Sequence, residues 1–262
     1  METIETQNTQ KTQNTAEVID SFRGTNKFLS NFSLDTVLYG GILYPTSEHA
    51  YQAAKTEDIQ LRNFIATQVK TPAEAKSFGN KLKLRENWDA IKINIMREVV
   101  FLKFQQHSLL QEKLLETKDS PLVEGNTWGD QFWGTCGGLG DNNLGKILME
   151  VREYFTTSDF WVRLRFLNTL RCNNYFHKID EWSLLEYSAC ICGEAGEIVD
   201  EVKKTKRGDK PLDILAVTKE VGDVLAYLDL LCGQLNISLE EAVRTKFNIV
   251  SQERLNNCQL TL

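Results

Sequence analysis

Glu194 and Glu197, and then Glu220 and Asp223, place two pairs of carboxylates at i, i+3 spacing on two stretches of helical periodicity, 183–207 and 213–235. Residues three or four apart share a helix face, so each pair sets like charges side by side, and Glu201 extends the first row by another turn. A single such pair is ordinary solvated helix surface. Two pairs on neighbouring helices are a different matter, because antiparallel packing makes four oxygen donors converge. Hard oxygen ligands with a few retained waters are what Mg²⁺ or Mn²⁺ takes. Gly193, Gly196 and Gly222 interrupt the same helices at roughly 1 kcal/mol each relative to alanine. That composition is expected where a backbone or a ligand must come close.

A second chemical set begins in YPTSEHAYQAAK, residues 44–55. Pro45 precedes a helix start and Thr46 or Ser47 can cap it, which puts Glu48 in the first turn, where the helix dipole favours a carboxylate. A helix over 46–56 carries Glu48, Tyr51, Gln52 and Lys55 on one stripe. Taken alone, this is equally a capping acid with ordinary surface polarity. Further on, GDQFWGTCGGLGDNNLG, residues 129–145, gathers Asp130, Phe132, Trp133 and six glycines, Gly134 among them, into a stretch that cannot be regular. Glycine permits tight turns and close approach to a ligand, and the aromatics supply stacking faces, as a nucleotide or sugar pocket requires. A glycine-rich surface loop is the competing reading. His49 reads as a residue that fixes its helix, His107 as a junction residue, and His177 as a possible base contact; no acid–His–nucleophile set is evident.

The elements that position these residues fall into two regions. Residues 1–16 are rich in Thr, Gln and Asn and hold too little apolar surface to offset chain entropy, so a disordered arm is expected there. Residues 17–156 mix short apolar runs and the Gly40–Gly41 pair with helical periodicity over 46–56, 58–69, 72–79, 87–105 and 107–117, a helix-rich α+β pattern. The polar TTSD segment ends that region, and Asp159 can cap a new helix. Residues 157–262 read as four helices, 160–173, 183–207, 213–235 and 239–254, with KRGDKPLD breaking the second from the third and Ser238 capping the last, hence an all-α four-helix bundle.

Composition bounds the partners. The chain has 262 residues, a net charge of −6 and 42% apolar residues, which suits two domains and excludes broad, sequence-independent adhesion to nucleic acid. The six cysteines lack CxxC spacing and read as reduced, mostly buried thiols. No apolar run reaches the ~20 residues of a membrane span and no signal-peptide core is present, so a cytoplasmic protein is expected.

At Glu194, Glu197, Glu220 and Asp223 the chain resembles the MazG-like all-α nucleotide pyrophosphohydrolases, whose signature is ExxE, a spacer and ExxD; the likeness runs from DEWSLLEYSACICGEAGE to EEAVRTKFNIVSQERL. The resemblance implies hydrolysis of nucleoside triphosphates to monophosphate and pyrophosphate, with Mg²⁺ or Mn²⁺ on those four carboxylates and Glu197 or Glu194 doubling as base. It makes Lys203, Lys204 and Lys246 candidates for phosphate charge and Trp182 and Asn248 candidates for nucleotide contact. It also implies a homo-oligomer, a dimer or tetramer built through the bundle.

From Phe22 to Phe155, through FRGTNKFLSNFS, YPTSEHAYQAAK, TPAEAKSFGN and DQFWG, the chain closely resembles the NADAR/YbiA family. That resemblance implies an N-glycosidase without a cofactor, acting on phosphoribosylated pyrimidines of riboflavin synthesis or on ADP-ribose attached to guanine, including guanine in nucleic acid. Breaking such a bond builds oxocarbenium character on the sugar and negative charge on the departing nitrogen. The resemblance makes Glu48 the catalytic carboxyl, Lys55 an alternative that captures the opened ribose as an imine, and Asp130 the group that holds a ribose hydroxyl or orients water. Trp88 and Trp133 are candidates for base stacking, Arg23 for phosphate, and Asn31, Phe32 and Gly134 for the pocket wall. The expectation is a bifunctional hydrolase of ribosyl phosphates and nucleotides. The contrasting class is a nucleotide- or ADP-ribose-binding module with a helical oligomerisation domain and no turnover in one or both halves.

Overall fold

The computed structural model describes residues 17–253 and Leu260; the expected disordered arm 1–16 and Cys258 lie outside the described residues. The chain forms two compact units. The first comprises the chain up to Ala53 with Asp58–Leu82 and Val99–Arg152; the second comprises Ala54–Glu57, Lys83–Glu98 and everything from Glu153 onward.

In the first unit a two-stranded antiparallel hairpin, β1 (Val37–Tyr39) and β2 (Ile42–Tyr44), pairs Val37 with Tyr44 around a Gly40–Gly41 turn. Both glycines have left-handed backbones, φ 56° and 78°, which side-chain-bearing residues adopt with strain. The hairpin leads into α1 (Ser47–Ala53), whose seven residues are all buried. Only one helical turn shorter than expected, it ends before Lys55, so the stripe expected to join Glu48 to Lys55 along a helix face does not form. The Lys55 carbonyl instead accepts the Arg85 amide at 2.8 Å, within the second unit.

The helices α2 (Ile59–Thr67) and α3 (Pro72–Gly79) begin where side-chain caps dictate. Asp58 accepts from the amides of Gln60 and Leu61, and Thr71 and Glu74 close a capping box behind Pro72. Next come α4 (Trp88–Gln106) and α5 (Ser108–Glu116). A two-residue parallel pair follows, β3 (Gly125–Asn126) beside β4 (Thr135–Cys136), and then α6 (Asn143–Thr156). Leu144, Ile147, Leu148 and Val151 recur at helical spacing and are buried, and Val99, Val100, Phe101 and Phe104 of α4 are buried too.

The C-terminal region is all helix: α7 (Phe160–Tyr175), α8 (Leu184–Arg207), α9 (Ile214–Gln234) and α10 (Leu239–Glu253). Asp159 caps α7, Ser183 and Glu186 box α8, Gly208 ends α8 in the left-handed region, and Asp213 caps α9. Ser238 accepts the Glu241 amide at the start of α10. The long contact is α8 against α9, with α7 laid on α9. A buried polar lock fastens α7: Asp229 of α9, 2% exposed, accepts from Arg165 at 2.8 Å and from Asn168 at 3.1 Å. Of the described cysteines only Cys172 and Cys232 are buried, fewer than composition suggested; Cys136 and Cys190 are half-buried and Cys192 is exposed. No helix among the described residues is long and apolar enough to cross a membrane.

Asp229→Ala strands Arg165 and Asn168 without their shared acceptor. A destabilisation of about 3 kcal/mol is expected, read as a lower denaturation midpoint; an unchanged midpoint would show that α7 docks by apolar packing alone.

Candidate functional sites

In the bundle, Glu194 of α8 and Glu220 and Asp223 of α9 each bring a carboxylate oxygen within 4.8 Å of the other two. Glu197 does not join this group: it stands exposed one turn along α8, though its charge is felt at Glu194. Glu194 has its carboxyl pushed up from the usual range, by burial first, then by the charges of Asp223, Glu197 and Glu220 and by a hydrogen bond with Glu220. Among the described residues no lysine or arginine forms an ion pair with this trio. The lysines nearby are engaged elsewhere, Lys204 with Asp200 at 2.8 Å and Glu201 at 3.3 Å, and Lys210 with Glu201. Three hard oxygen donors carrying uncompensated charge suit a divalent cation.

The glycines beside this trio do not act as expected. A methyl group added at Gly193, Gly196 or Gly222 would meet nothing within 4 Å, so no backbone crowds them. They leave open space beside the carboxylates instead. Lys203 and Lys246 are exposed. Trp182 is half-buried against the small core of Cys172, Tyr187 and Leu230, with His177 stacked on it at 3.9 Å and Tyr227 parallel at 6.3 Å. The Asn248 amide is engaged by the Leu260 backbone, at 2.8 Å and 3.2 Å. Sequence reasoning missed Tyr227, whose hydroxyl is pushed up by burial and by Cys190, Glu194 and Asp223. The available signal was its place one turn after Asp223.

In the first unit Glu48 is 6% exposed, too buried for the surface-polarity reading of its helix. Its amide donates to the Asn31 carbonyl at 3.1 Å, and Gln52 donates to its carboxylate at 2.7 Å. His49 is fully buried, its ring bridging Thr46 and the Val69 carbonyl, so it fixes the helix start. Asp130 turns the aromatic loop: one carboxylate oxygen accepts from the amides of Phe132 at 3.1 Å and Trp133 at 2.9 Å. That turn carries Trp133 edge-on to Tyr51 of α1 at 5.4 Å. Gly134 is buried, and a methyl there would lie 2.1 Å from the Glu124 carbonyl. Asn31 is buried and Phe32 half-buried; Arg23 is exposed, its guanidinium over the Trp128 ring at 5.5 Å. Lys55 and Trp88 are both buried and belong to the second unit.

Glu124 is the residue sequence reasoning missed. It lies just before β3, its carbonyl accepts the Thr135 amide at 2.9 Å, and its amide takes the Asn142 side chain at 3.0 Å. Its carboxyl is pushed up to about 7, by burial first, then by the charges of Asp130 and Glu48, against the pull of Lys76. The charges of Asp130 and Glu48 therefore both act on Glu124. The acid in PLVEG carried no helical spacing and no motif, so only the fold reveals it.

A family model described as the NADAR domain matches residues 11–156, more than half of the chain. The chain belongs to the NADAR family. Residues 183–251 match the MazG nucleotide pyrophosphohydrolase domain, so the NADAR region is followed by a second hydrolase domain and the chain is a hydrolase. The N-glycosidase YbiA of Shigella flexneri is 42% identical over 127 residues, covering 47% of this chain and 78% of that protein. A riboflavin biosynthesis protein of Vibrio vulnificus, VVA0006, is 38% identical over 129 residues, covering 48% of this chain and 35% of that protein. The solution NMR structure of Escherichia coli YbiA is 37% identical, covers 53% of this chain and 84% of that one, and superposes with a TM-score of 0.48.

Two glycine substitutions separate the two kinds of glycine. Gly134→Ala drives a methyl into the Glu124 carbonyl and should destabilise by about 1–3 kcal/mol, whereas Gly196→Ala meets open space and should stabilise α8 by about 1 kcal/mol. Thermal denaturation of both variants checks the contrast, and equal shifts would refute it.

Proposed function

We propose that this NADAR protein is a bifunctional hydrolase: an N-glycosidase that releases the base from a phosphoribosylated aminopyrimidine, joined to a divalent-metal-dependent nucleoside triphosphate pyrophosphohydrolase. The observation that carries the first half is Glu124, whose carboxyl is pushed up to about 7 by burial and by the charges of Asp130 and Glu48. Paired carboxyls whose environments set their proton affinities apart are the arrangement acid–base cleavage of a glycosidic bond needs. Glu124 gives its proton to the departing nitrogen as the C1′–N bond breaks and its electron pair goes to that nitrogen. Glu48 faces the developing oxocarbenium charge and takes a proton from the water whose oxygen bonds to C1′. Solvent returns that proton to Glu124. Asp130 holds the loop, and Trp133 lines the base. The riboflavin assignment of the Vibrio vulnificus relative supports an aminopyrimidine base, and ADP-ribosylated guanosine is the alternative substrate of the same chemistry.

For the second half, Glu194, Glu220 and Asp223 are the residues that would hold Mg²⁺. An ion held there would supply positive charge for the phosphates and lower the pKa of the attacking water. Glu197, outside the trio, accepts a proton from water; Lys203 and Lys246 take phosphate charge, and Trp182 borders the base. We assign residues 17–156 to the glycosidase and 157–262 to the pyrophosphohydrolase. The bundle works as a homo-oligomer: Val199, Val202, Ile214, Leu215 and Val221 are exposed on α8 and α9, which a second copy would cover.

Glu48→Gln and Glu124→Gln should each lower base release at least about 100-fold and leave pyrophosphate release intact, while Glu220→Gln should do the reverse. Product masses from a panel of phosphoribosylated pyrimidines, ADP-ribosylated guanosine and nucleoside triphosphates decide it. Wild-type protein that frees no base from any of them sinks the glycosidase half.

The pH dependence has a definite sign. Glu124 is an acid whose affinity for its proton is raised in the folded state, so the protonated form, and the stability it contributes, is present below its ordinary range and lost as pH rises through about 7. Base release should therefore fall across that point, tenfold per pH unit above it. A rate that stays flat to pH 9 would remove Glu124 from the acid role.

A further inference from the structure

Lys103 is 1% exposed, and Val99, Val100, Phe101 and Phe104 beside it on its helix are buried and apolar. Burying an ammonium is expensive unless every proton finds an acceptor. Here each does: the Lys103 amine donates to the carbonyls of Phe28 and Ser30, the latter at 3.0 Å, and to the Ser33 hydroxyl at 2.7 Å. Three protons meet three acceptors on one six-residue segment. That segment is cross-braced further, since Phe32 donates its amide to the Ser30 hydroxyl at 3.1 Å and the Ser33 hydroxyl donates to the Ser30 carbonyl at 3.0 Å. Between the anchored residues sits Asn31, whose carbonyl accepts the Glu48 amide at 3.1 Å.

The Glu48 amide lies in the first turn of α1, where helical amides have no partner within their own helix. At seven residues α1 is too short to hold its shape alone, so its start is set by what it is bonded to. We propose that Lys103 is a positioning residue for the glycosidase reaction: by clamping residues 28–33 it fixes the Asn31 carbonyl, and through it the Glu48 carboxylate. This rests on the reading of Glu48 as a catalytic carboxyl. Lys103 touches no substrate and acts only through the segment.

Burial brings the Lys103 ammonium down to about 8, opposed by the charge of Asp35. Deprotonation leaves two donors for three acceptors. The clamp is therefore whole below that pH and loosens above it.

The test uses full-length wild type, Lys103→Ala and Ser33→Ala. Each is read for base release from a phosphoribosylated aminopyrimidine, for pyrophosphate release from a nucleoside triphosphate with Mg²⁺, and for amide exchange at Glu48. Lys103→Ala should lower kcat for base release about 100-fold, the scale of an ångström's misplacement of a reacting group. KM should change little, pyrophosphate release should be intact, and exchange at Glu48 should be faster. Added propylamine, filling the space with a new ammonium, should restore part of kcat. A kcat within threefold of wild type, or a loss of kcat with Glu48 exchange unchanged, overturns the proposal. If Lys103→Ala yields no folded protein, Ser33→Ala carries the test, with kcat expected about 5-fold lower and exchange at Glu48 faster; an unchanged kcat overturns it. Wild type that frees no base would end the glycosidase reading, while Glu48 exchange in Lys103→Ala would still decide whether the clamp exists.

Discussion

Both candidate sites depend on carboxylates held closer together than their charges favour. Two unit charges 4 Å apart near a protein surface interact by about 4 kcal/mol, comparable to a large share of a domain's net stability. Such a grouping persists only where the backbone is fixed by something else. In the bundle that is the pair of long helices α8 and α9, whose ends are set by Ser183, Glu186, Gly208 and Asp213 rather than by the acids. Glu194, Glu220 and Asp223 are thereby carried to one place, and the charge that accumulates is what a divalent ion would neutralise. Glu201, next in the same row, shows the other outcome: Lys204 and Lys210 pair with it, and it drops out of the cluster.

The NADAR region meets the same constraint with a proton on Glu124. Glu48 is buried and Glu124 half-buried, and burial together with the neighbouring charges pushes the Glu124 carboxyl up to about 7. One group is neutralised by a proton in place of a metal, which leaves that proton available for transfer. The segments carrying these acids have little regular structure of their own. They are held by side-chain bonds to backbone: Lys103 on residues 28–33, Asn142 on Glu124 and Leu122, and Asp130 on the aromatic turn. Tight glycine contacts at Gly134 and Gly145 finish the work by letting backbone lie against backbone.

How far the sequence discloses all this follows from how local each signal is. Helix spans, caps at Asp159 and Ser238, and the Gly40–Gly41 turn depend on neighbours a few residues away, and the structure has them where the pattern places them. Glu194, Glu220 and Asp223 are legible because helical spacing projects side chains predictably. Glu197 shows the limit: i, i+3 spacing allows about 60° of rotation, enough to leave one of a pair outside the group. The helical stripe through Glu48 is cut short for a related reason, since α1 stops at Ala53 and Lys55 lies two residues past its end. Glu124 and Lys103 were invisible because what defines them is distant in sequence: Glu48 lies far upstream of Glu124, and the acceptors of Lys103 lie seventy residues before it.

The two regions also differ in how they bury apolar surface, and the difference bears on assembly. In the first unit Val99, Val100, Phe101 and Phe104 of α4 and Leu144, Ile147, Leu148 and Val151 of α6 are buried. In the bundle Cys172, Tyr187 and Leu230 form a small buried cluster with Ile179, Trp182, Tyr227 and Leu231 packed around it, and Leu170, Cys232 and Leu239 are buried too. Val199, Val202, Ile214, Leu215 and Val221 stay exposed along α8 and α9, and Val243, Phe247 and Val250 along α10. A region of about a hundred residues that leaves this much apolar surface in water forgoes most of the driving force that small domains rely on. The Arg165–Asp229–Asn168 lock cannot replace it, since such a lock selects an arrangement more than it stabilises one. A second copy of the chain, as proposed for the bundle, would bring complementary helices of the same kind to cover that surface. Because the carboxylate trio sits on the two helices that carry most of that exposed surface, whatever covers the surface also holds the trio in place.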